Sequence, residues 1–296
     1  MKILVISDVI RWEGYEKIVD ENQPDVIVLA GDLTSDGFAS FWSEAIEQIP
    51  GYQDDLKKLN ISFKRKGNIT FYQWVGGRPK KYGNKHILDI VDEVKKKYRN
   101  SKEFLNVRKR IHVDKFYQFL EFAGKKSQIL VVKGDHDEDF EGDYVPERID
   151  KIDGCKEISG KCVVIDNLSF LGLGYNETHH VRILNSFVEK FKGKVDVVIT
   201  HCEQNRLPII SLLKPKIIIR GHFGSGKYLV NDIPSVFTMG VKYTIIELEN
   251  KKLPKITQYI TDLNNNIKIL EKGSCRPWFS KVSEFERYPW LKPYPV

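Results

Sequence analysis

Cysteine is scarce in this sequence. Cys155, Cys162, Cys202 and Cys275 are the only four in 296 residues, and no two of them form a CxxC pair. Such spacing excludes a disulfide framework and a structural zinc cage built from paired thiolates. The four are read as buried thiols, with one alternative open: Cys155 and Cys162 facing each other across a short hairpin as a disulfide. Long apolar runs are also missing. No stretch reaches 18 apolar residues, so no ordinary membrane-crossing helix is encoded. Met1 passes directly into the strand-like KILVIS without a basic and apolar leader, so a cytoplasmic protein is expected, with no membrane partner.

A hydrophobic content of 41% over this length is enough for one large core, or a core plus a subdomain. The formal net charge of +7 is unevenly distributed. Residues 51–126 hold 20 Lys and Arg against 8 Asp and Glu, leaving 27 basic and 32 acidic residues elsewhere. Two readings of this basic segment stand side by side. It attracts a phosphate-bearing polymer, or it is the solvated face of helices in an insert.

Eight short apolar or β-branched runs read as buried strands: KILVIS (2–7), DVIVLA (25–30), QILVVK (128–133), CVVID (162–166), LSFLGLG (168–174), DVVIT (196–200), KIIIR (216–220) and YTIIEL (243–248). Continuous apolar strands imply a sheet covered on both faces. Between them, EGYEKIVDEN, FASFWSEAIEQI, VDKFYQFLEFAGKK and VRILNSFVEKFKG place apolar residues three and four apart, as amphipathic helices do. Strands alternating with helices predict an α/β domain.

One span breaks this rhythm. DVIVLAGD and QILVVKGD are separated far beyond an ordinary helical crossover. Within the gap, ISFKRKGNITFYQWV alternates like a hairpin around Lys66-Gly67-Asn68, and NKHILDIVDEVKKKYR repeats at helical spacing. Residues 51–111 are therefore expected to form an inserted basic cap that interrupts a domain spanning 1–250. Residues 251–296 read as an irregular extension, rich in aromatics and proline, packed on that domain.

The chain repeatedly places polar residues where strands end: Asp8 after VIS, Asp32 after VLAG, Asp135-His136-Asp137 after VVKG, His201 after VVIT and His222 after IIIRG. In open α/β sheets ligands collect beyond the carboxyl ends of the strands. A single Asp in such a place is usually a cap or turn residue. Five exits together are different, because carboxylates gathered at one sheet edge repel unless a cation offsets them. Oxygen and imidazole donors without thiolates suit manganese, iron or zinc.

The blocks VISDVI, AGDLT, KGDHD, THCE and GHFG, in this order and at these spacings, resemble the five signature blocks of the calcineurin-like metallophosphoesterase superfamily, which includes purple acid phosphatases and serine/threonine protein phosphatases. The resemblance covers residues 1 to about 35 and 127 to 248. It implies a four-layer αββα sandwich of mixed sheets with a metal centre at the sheet edges. It also implies that Asp8, Asp32, Asp135, His201 and His222 are metal ligands and that His136 contacts the phosphate and protonates the leaving group.

Departures from the family pattern fall on one side. Where the family has a histidine two residues after Asp8, this chain has Ile10; two residues after His222, where it has another, this chain has Gly224. Asp135 replaces the usual Asn. One metal position then keeps Asp32, Asp135, His201 and His222, whereas the other keeps only Asp8 and the shared Asp32, so one divalent ion is expected. His179 and His180 are candidates to approach the depleted position, against a surface-loop reading. For Asp137 two readings are open: an acceptor orienting His136, or a turn residue bonding the backbone. Cys202 is read as a buried filler, and His86 and His112 as structural.

Two functions follow. In the first, the protein hydrolyses a phosphomonoester or phosphodiester, nucleotides and nucleic acids included, through a degenerate metal site. Lys64, Arg65, Lys66, Arg78, Lys80 and Lys81 lie near Phe71, Tyr72, Trp74 and Tyr82 in the insert, where cations and rings suit bases and phosphates. In the second, the fold is kept as an inactive binding or scaffold protein, and the insert binds nucleic acid or a protein partner. Ile10 and Gly224 favour the second, and the retention of His136 and three carboxylates favours the first.

Overall fold

Strand residues of alternate parity pack against different layers. In β1 (Lys2–Ile6), Ile3 and Val5 enter one core cluster while Leu4 and Ile6 enter another, and all four are buried. The same split recurs in β2 (Val26–Ala30) and β3 (Gln128–Val132): Val26, Val28, Leu130 and Val132 join Ile3, whereas Ile27, Leu29, Ile129 and Val131 join Leu4. A strand that buries both faces has a layer on each side. Each fully buried aliphatic side chain contributes about 1.5–3 kcal/mol of transfer free energy.

This computed structural model describes residues 1–9, 12–34, 48–49, 51–52, 54–55, 97–98, 101–137, 142–222, 225–238, 242–249, 253–261, 267–273 and 276–277. Among them are two seven-stranded mixed sheets. The first has β1, β2, β3 and β4 (Cys155–Glu157) parallel, with β11 (Tyr243–Glu247), β12 (Lys255–Thr261) and β13 (Ile267–Gly273) added antiparallel on the far side of β1. The second runs β14 (Arg276–Pro277), β9 (Ser225–Val230), β10 (Ile233–Thr238), β8 (Ile217–Gly221), β7 (Val197–His201), β6 (Leu168–Leu173) and β5 (Cys162–Ile165). Its central strands β6, β7, β8 and β10 are parallel.

The core between the sheets contains Val28 and Val132 from the first, and Phe170, Val197, Ile199, Ile217 and Ile219 from the second. Outside the first sheet lie α1 (Tyr15–Asn22), α2 (Lys102–Arg108) and α3 (Asp114–Ala123), the last two joined by a π-helical turn over Lys109–Val113. Phe116, Phe119 and Leu120 of α3 pack on Leu4, Leu29 and Val131. Outside the second lie α6 (Val181–Phe191) and α7 (Leu207–Ile210), which follow the short α4 (Pro146–Ile149) and α5 (Tyr175–His179); Leu184, Val188, Leu207 and Ile210 close that side. The layers are therefore helices, sheet, sheet, helices, the αββα sandwich. No helix among the described residues is long and apolar enough to cross a membrane.

Local chemistry sets the helix ends. Pro24 follows α1, and Gln23 takes a left-handed conformation with its N–H bonded to the Val19 carbonyl. Ser101 caps α2 by accepting from the Phe104 N–H at 3.1 Å. Trp12, buried against Phe119 with ring centroids 4.7 Å apart, donates its indole N–H to the Leu33 carbonyl at 3.0 Å. That bond ties the loop after β1 to the loop after β2.

Two sequence expectations need correction. Cys155 lies in β4 of the first sheet and Cys162 in β5 of the second, both as free thiols, so no hairpin disulfide joins them. β5 pairs instead with β6. Past residue 250, where an irregular extension is expected, β12 and β13 continue the first sheet through residue 273. The predicted hairpin at 61–75, most of the predicted helix at 84–99, the basic and aromatic residues from Lys64 to Tyr82, most of FASFWSEAIEQI, and residues 278–296 lie outside the described residues.

Candidate metal centre

Five parallel strands open toward one edge of the sandwich. Asp8 follows β1, Asp32 follows β2, Asp135 follows β3, His201 is the last residue of β7, and His222 follows β8. Asp8, Asp32 and His222 all adopt positive φ, at 51°, 54° and 81°. Non-glycine residues held this way cost about 1–3 kcal/mol each, and such strain clusters at functional sites.

Glycines allow the two sheets to meet here. A Cβ on Gly31, whose φ is +86°, would stand 2.3 Å from His201 Nδ1. One on Gly134 would stand 2.2 Å from Asp32 Oδ1 and 2.3 Å from the Asp32 backbone nitrogen. Because one colliding atom is backbone, the clash is not relieved by rotating a side chain. Gly134→Ala is expected to cost about 3 kcal/mol, read as a lower urea midpoint than the unsubstituted protein; an unchanged midpoint would mean that this contact is not close.

Asp32, Asp135, His201 and His222 each offer one donor atom, and these four atoms lie within 4.8 Å of one another. His201 is fully buried and spans the sheets: its Nδ1 donates to the Ala30 carbonyl at 2.8 Å, leaving Nε2 at 2.9 Å from Asp135 Oδ1 and 3.5 Å from Asp32 Oδ1. His222 presents the opposite nitrogen. Its Nδ1 is 3.1 Å from Asp135 Oδ1, and its Nε2 is 3.2 Å from Glu203 Oε1.

The charges respond to this crowding. Burial pushes Asp8 up to about 6, and the nearby Asp32 charge adds to the rise against the lowering effect of His201. Burial would also raise Asp135, but its bonds to His201 and His222 hold it far below the usual carboxylate range. For His201 burial opposes the charged form, yet the Asp32 charge and the bond to Asp135 keep its pKa well above that of an ordinary imidazole. His222 is raised in the same way, with its bonds to Asp135 and Glu203 outweighing burial.

Asp8 stands beside this group of four. Its Oδ2 accepts from Ser7 Oγ at 2.5 Å and from the His222 N–H at 3.3 Å. The His136 backbone N–H donates to Asp32 Oδ1 at 3.0 Å, and its ring Nε2 lies 3.4 Å from Asp135 Oδ2. Asp137 does not take up the orienting role that one reading allowed. Fully buried, it accepts from the backbone N–H groups of Asp32, Leu33, Thr34 and Gly134 at 2.6–2.9 Å. It therefore clamps the AGDLT turn to the KGDHD turn, as the backbone-bonding reading required, and burial with the neighbouring Asp32 charge raises its pKa.

His179 and His180 are exposed at the rim. His179 lies 5.1 Å from the Tyr175 ring, which in turn lies 6.0 Å from the His222 ring. Cys202 and His112 are buried, and Ile10, Gly224 and His86 lie outside the described residues. Glu203, in the quoted block THCE, escaped the sequence reading. Its signal was an acidic residue two positions after a strand-end histidine.

This donor set fits a divalent cation. It offers two carboxylates and two imidazole nitrogens with no thiolate. His201 already has its second nitrogen bonded to a carbonyl, as metal-bound histidines do. No lysine or arginine among the described residues pairs with Asp32 or Asp135; their partners are the imidazoles of His201, His222 and His136, which can release their protons to a metal ion.

Comparison with solved structures finds 29 matching chains, three of them as follows, all at low identity. One crystal structure is 16% identical with a TM-score of 0.46, covering 92% of this chain and 99% of its own. TT1561 of Thermus thermophilus is 10% identical with a TM-score of 0.41, covering 90% and 97%. The NAD nucleotidase of Haemophilus influenzae is 9% identical with a TM-score of 0.35, covering 92% and 60%. No curated protein matches. The sequence model of the calcineurin-like phosphoesterases matches residues 1–225, well over half of the chain and all five strand exits, and the protein belongs to that family.

Proposed function

We propose that this protein hydrolyses a phosphoester with one resident divalent ion, held by Asp32, Asp135, His201 and His222, with Asp8 outside the inner set. The observation that carries this reading is the convergence of those four donor atoms within 4.8 Å, from four strand exits on two sheets. When bound, the ion supplies Lewis acidity toward a phosphoryl oxygen and the attacking water. His201 turns Nε2 inward because Nδ1 is committed to the Ala30 carbonyl. Asp137 holds the turns that carry Asp32 and Asp135. His136, at the partly exposed edge beside Asp135, is the group placed to give a proton to the departing oxygen. Manganese, iron and zinc all suit this donor chemistry.

Metal analysis of protein purified without chelator, paired with hydrolysis of bis(p-nitrophenyl) phosphate in manganese, tests the proposal. About one ion per chain and turnover are expected. His136→Ala is expected to lower kcat by about 10²–10⁴ while leaving the bound ion in place, because its side chain is not among the four donors. Equal turnover by the variant would remove His136 from the chemistry.

The binding-protein reading draws on the sequence, where Ile10 and Gly224 replace two histidines of the family pattern. No ion and no turnover, with salt-sensitive binding of single-stranded nucleic acid, would select it. The basic segment within 51–111 is the feature of the sequence suited to a polyanionic substrate or partner in either reading.

A further inference from the structure

We infer that Glu203 is a positioning residue for the metal centre: it holds His222 by the nitrogen that faces away from the site and so sets how tightly the ion is bound. This rests on the one-ion reading above. His222 needs such a hold. Its backbone is strained at φ 81°, a half-turn of its ring about Cβ–Cγ would put a carbon where Nδ1 now stands, and either ring nitrogen can carry the proton. Glu203 Oε1, 3.2 Å from Nε2, accepts the proton there and so leaves the Nδ1 lone pair for the ion. A carboxylate acceptor also makes the ring a more basic donor.

The hold is reciprocal between neighbouring strands. Arg220, fully buried at the end of β8, donates its Nε–H to the Cys202 carbonyl at 2.8 Å and so fixes the start of the loop after β7. The next residue of that loop, Glu203, reaches back to His222, two positions after Arg220. The ring of Tyr175 lies beside the same imidazole, at 6.0 Å between centroids. His201 obtains its fixed tautomer from a backbone carbonyl, so its orientation follows from the fold alone. His222 obtains its own from a side chain that is 48% exposed, and a substitution there can be made without opening the core.

The alternative is an ion pair that exists only in metal-free protein and contributes nothing once the ion binds. Titration with cobalt(II), whose visible absorption reports ligand number, separates the two. Glu203→Ala is expected to bind cobalt about 10–100-fold more weakly than the unsubstituted chain. Glu203→Gln, which keeps a neutral acceptor, is expected to fall between them. Thermal unfolding of the metal-free variants is expected to stay a single cooperative transition, lowered only by the loss of the half-exposed Glu203–His222 bond and least so at alkaline pH, which separates weaker binding from misfolding. Equal affinity in all three proteins would overturn the role of Glu203 while leaving the one-ion reading intact. Failure of the unsubstituted chain to bind cobalt would overturn both.

Discussion

Replacing His201 by alanine is expected to lower divalent-ion affinity by more than about a hundredfold, beyond what loss of an outer hydrogen-bond partner costs, and to abolish hydrolysis of an aryl phosphodiester. Its Nε2 approaches Asp135 Oδ1 and Asp32 Oδ1, and its Nδ1 bonds Ala30 across the sheet interface. His222 also reaches Asp135 of the first sheet, but its other nitrogen bonds a half-exposed side chain of its own sheet and not the backbone of the other one. A second effect is independent of any ion. Removing the imidazole leaves two carboxylates facing each other without their partner and a polar hole between the sheets, at about 3–5 kcal/mol. Urea unfolding in chelator measures this stability loss, and cobalt titration measures the affinity. A variant that keeps its urea midpoint, or binds cobalt as tightly as the parent, would contradict the central position given to His201.

The second large effect is linkage between pH, the ion and stability. In metal-free protein Asp8 titrates near 6, above its unfolded value of 3.8, so its contribution to stability is full below about pH 4 and lost as the pH rises through 6. His201 and His222 are raised above 6.5, so their contributions are present below that value and lost as the pH climbs through their folded pKa values. Asp135 is depressed, so its contribution is present above 3.8 and lost on acidification. The metal-free site is therefore most favourable near about pH 4 and weakens as the pH rises from there, first through Asp8 and then through the two histidines.

Ion binding needs ionised carboxylates and neutral imidazoles, so its own pH dependence is opposite. The rise in melting temperature on adding manganese is accordingly expected to grow from pH 5.5 to pH 8. At a free ion concentration a thousand times Kd it corresponds to about 4 kcal/mol. A shift that shrinks or stays flat over this range would contradict the assignment of the two histidines as ligands.

Much of the fold was legible because the strands are buried on both faces. KILVIS, DVIVLA and QILVVK have no competing helical reading, and each became a parallel strand at the predicted place. Other strands were disguised for identifiable reasons. β10 begins Ile233-Pro234, and proline argues against an interior strand; here Pro234 lies in an overhang, because pairing with β8 begins only at Ser235. β12 carries Gln258 on its buried face, which spoils the alternation. Its Nε2 donates to the Phe237 carbonyl of the opposite sheet at 2.8 Å, which is why a polar residue is tolerated there.

The order of aspartates and histidines along the chain, and their places just after apolar strands, determined the family and the one edge of the sandwich where a cation would sit. A linear string carries side-chain types and strand periodicity, and those two properties suffice for that much. Which oxygens and nitrogens face inward was decided by contacts between segments a hundred or more residues apart. Asp137 bonds the turn at 32–34, Ala30 orients His201, and both depend on how two sheets pack against each other. Hydrogen-bond direction is a property of that packing, so only the folded chain could separate Asp137 the clamp from Asp135 the donor, or bring Glu203 to His222.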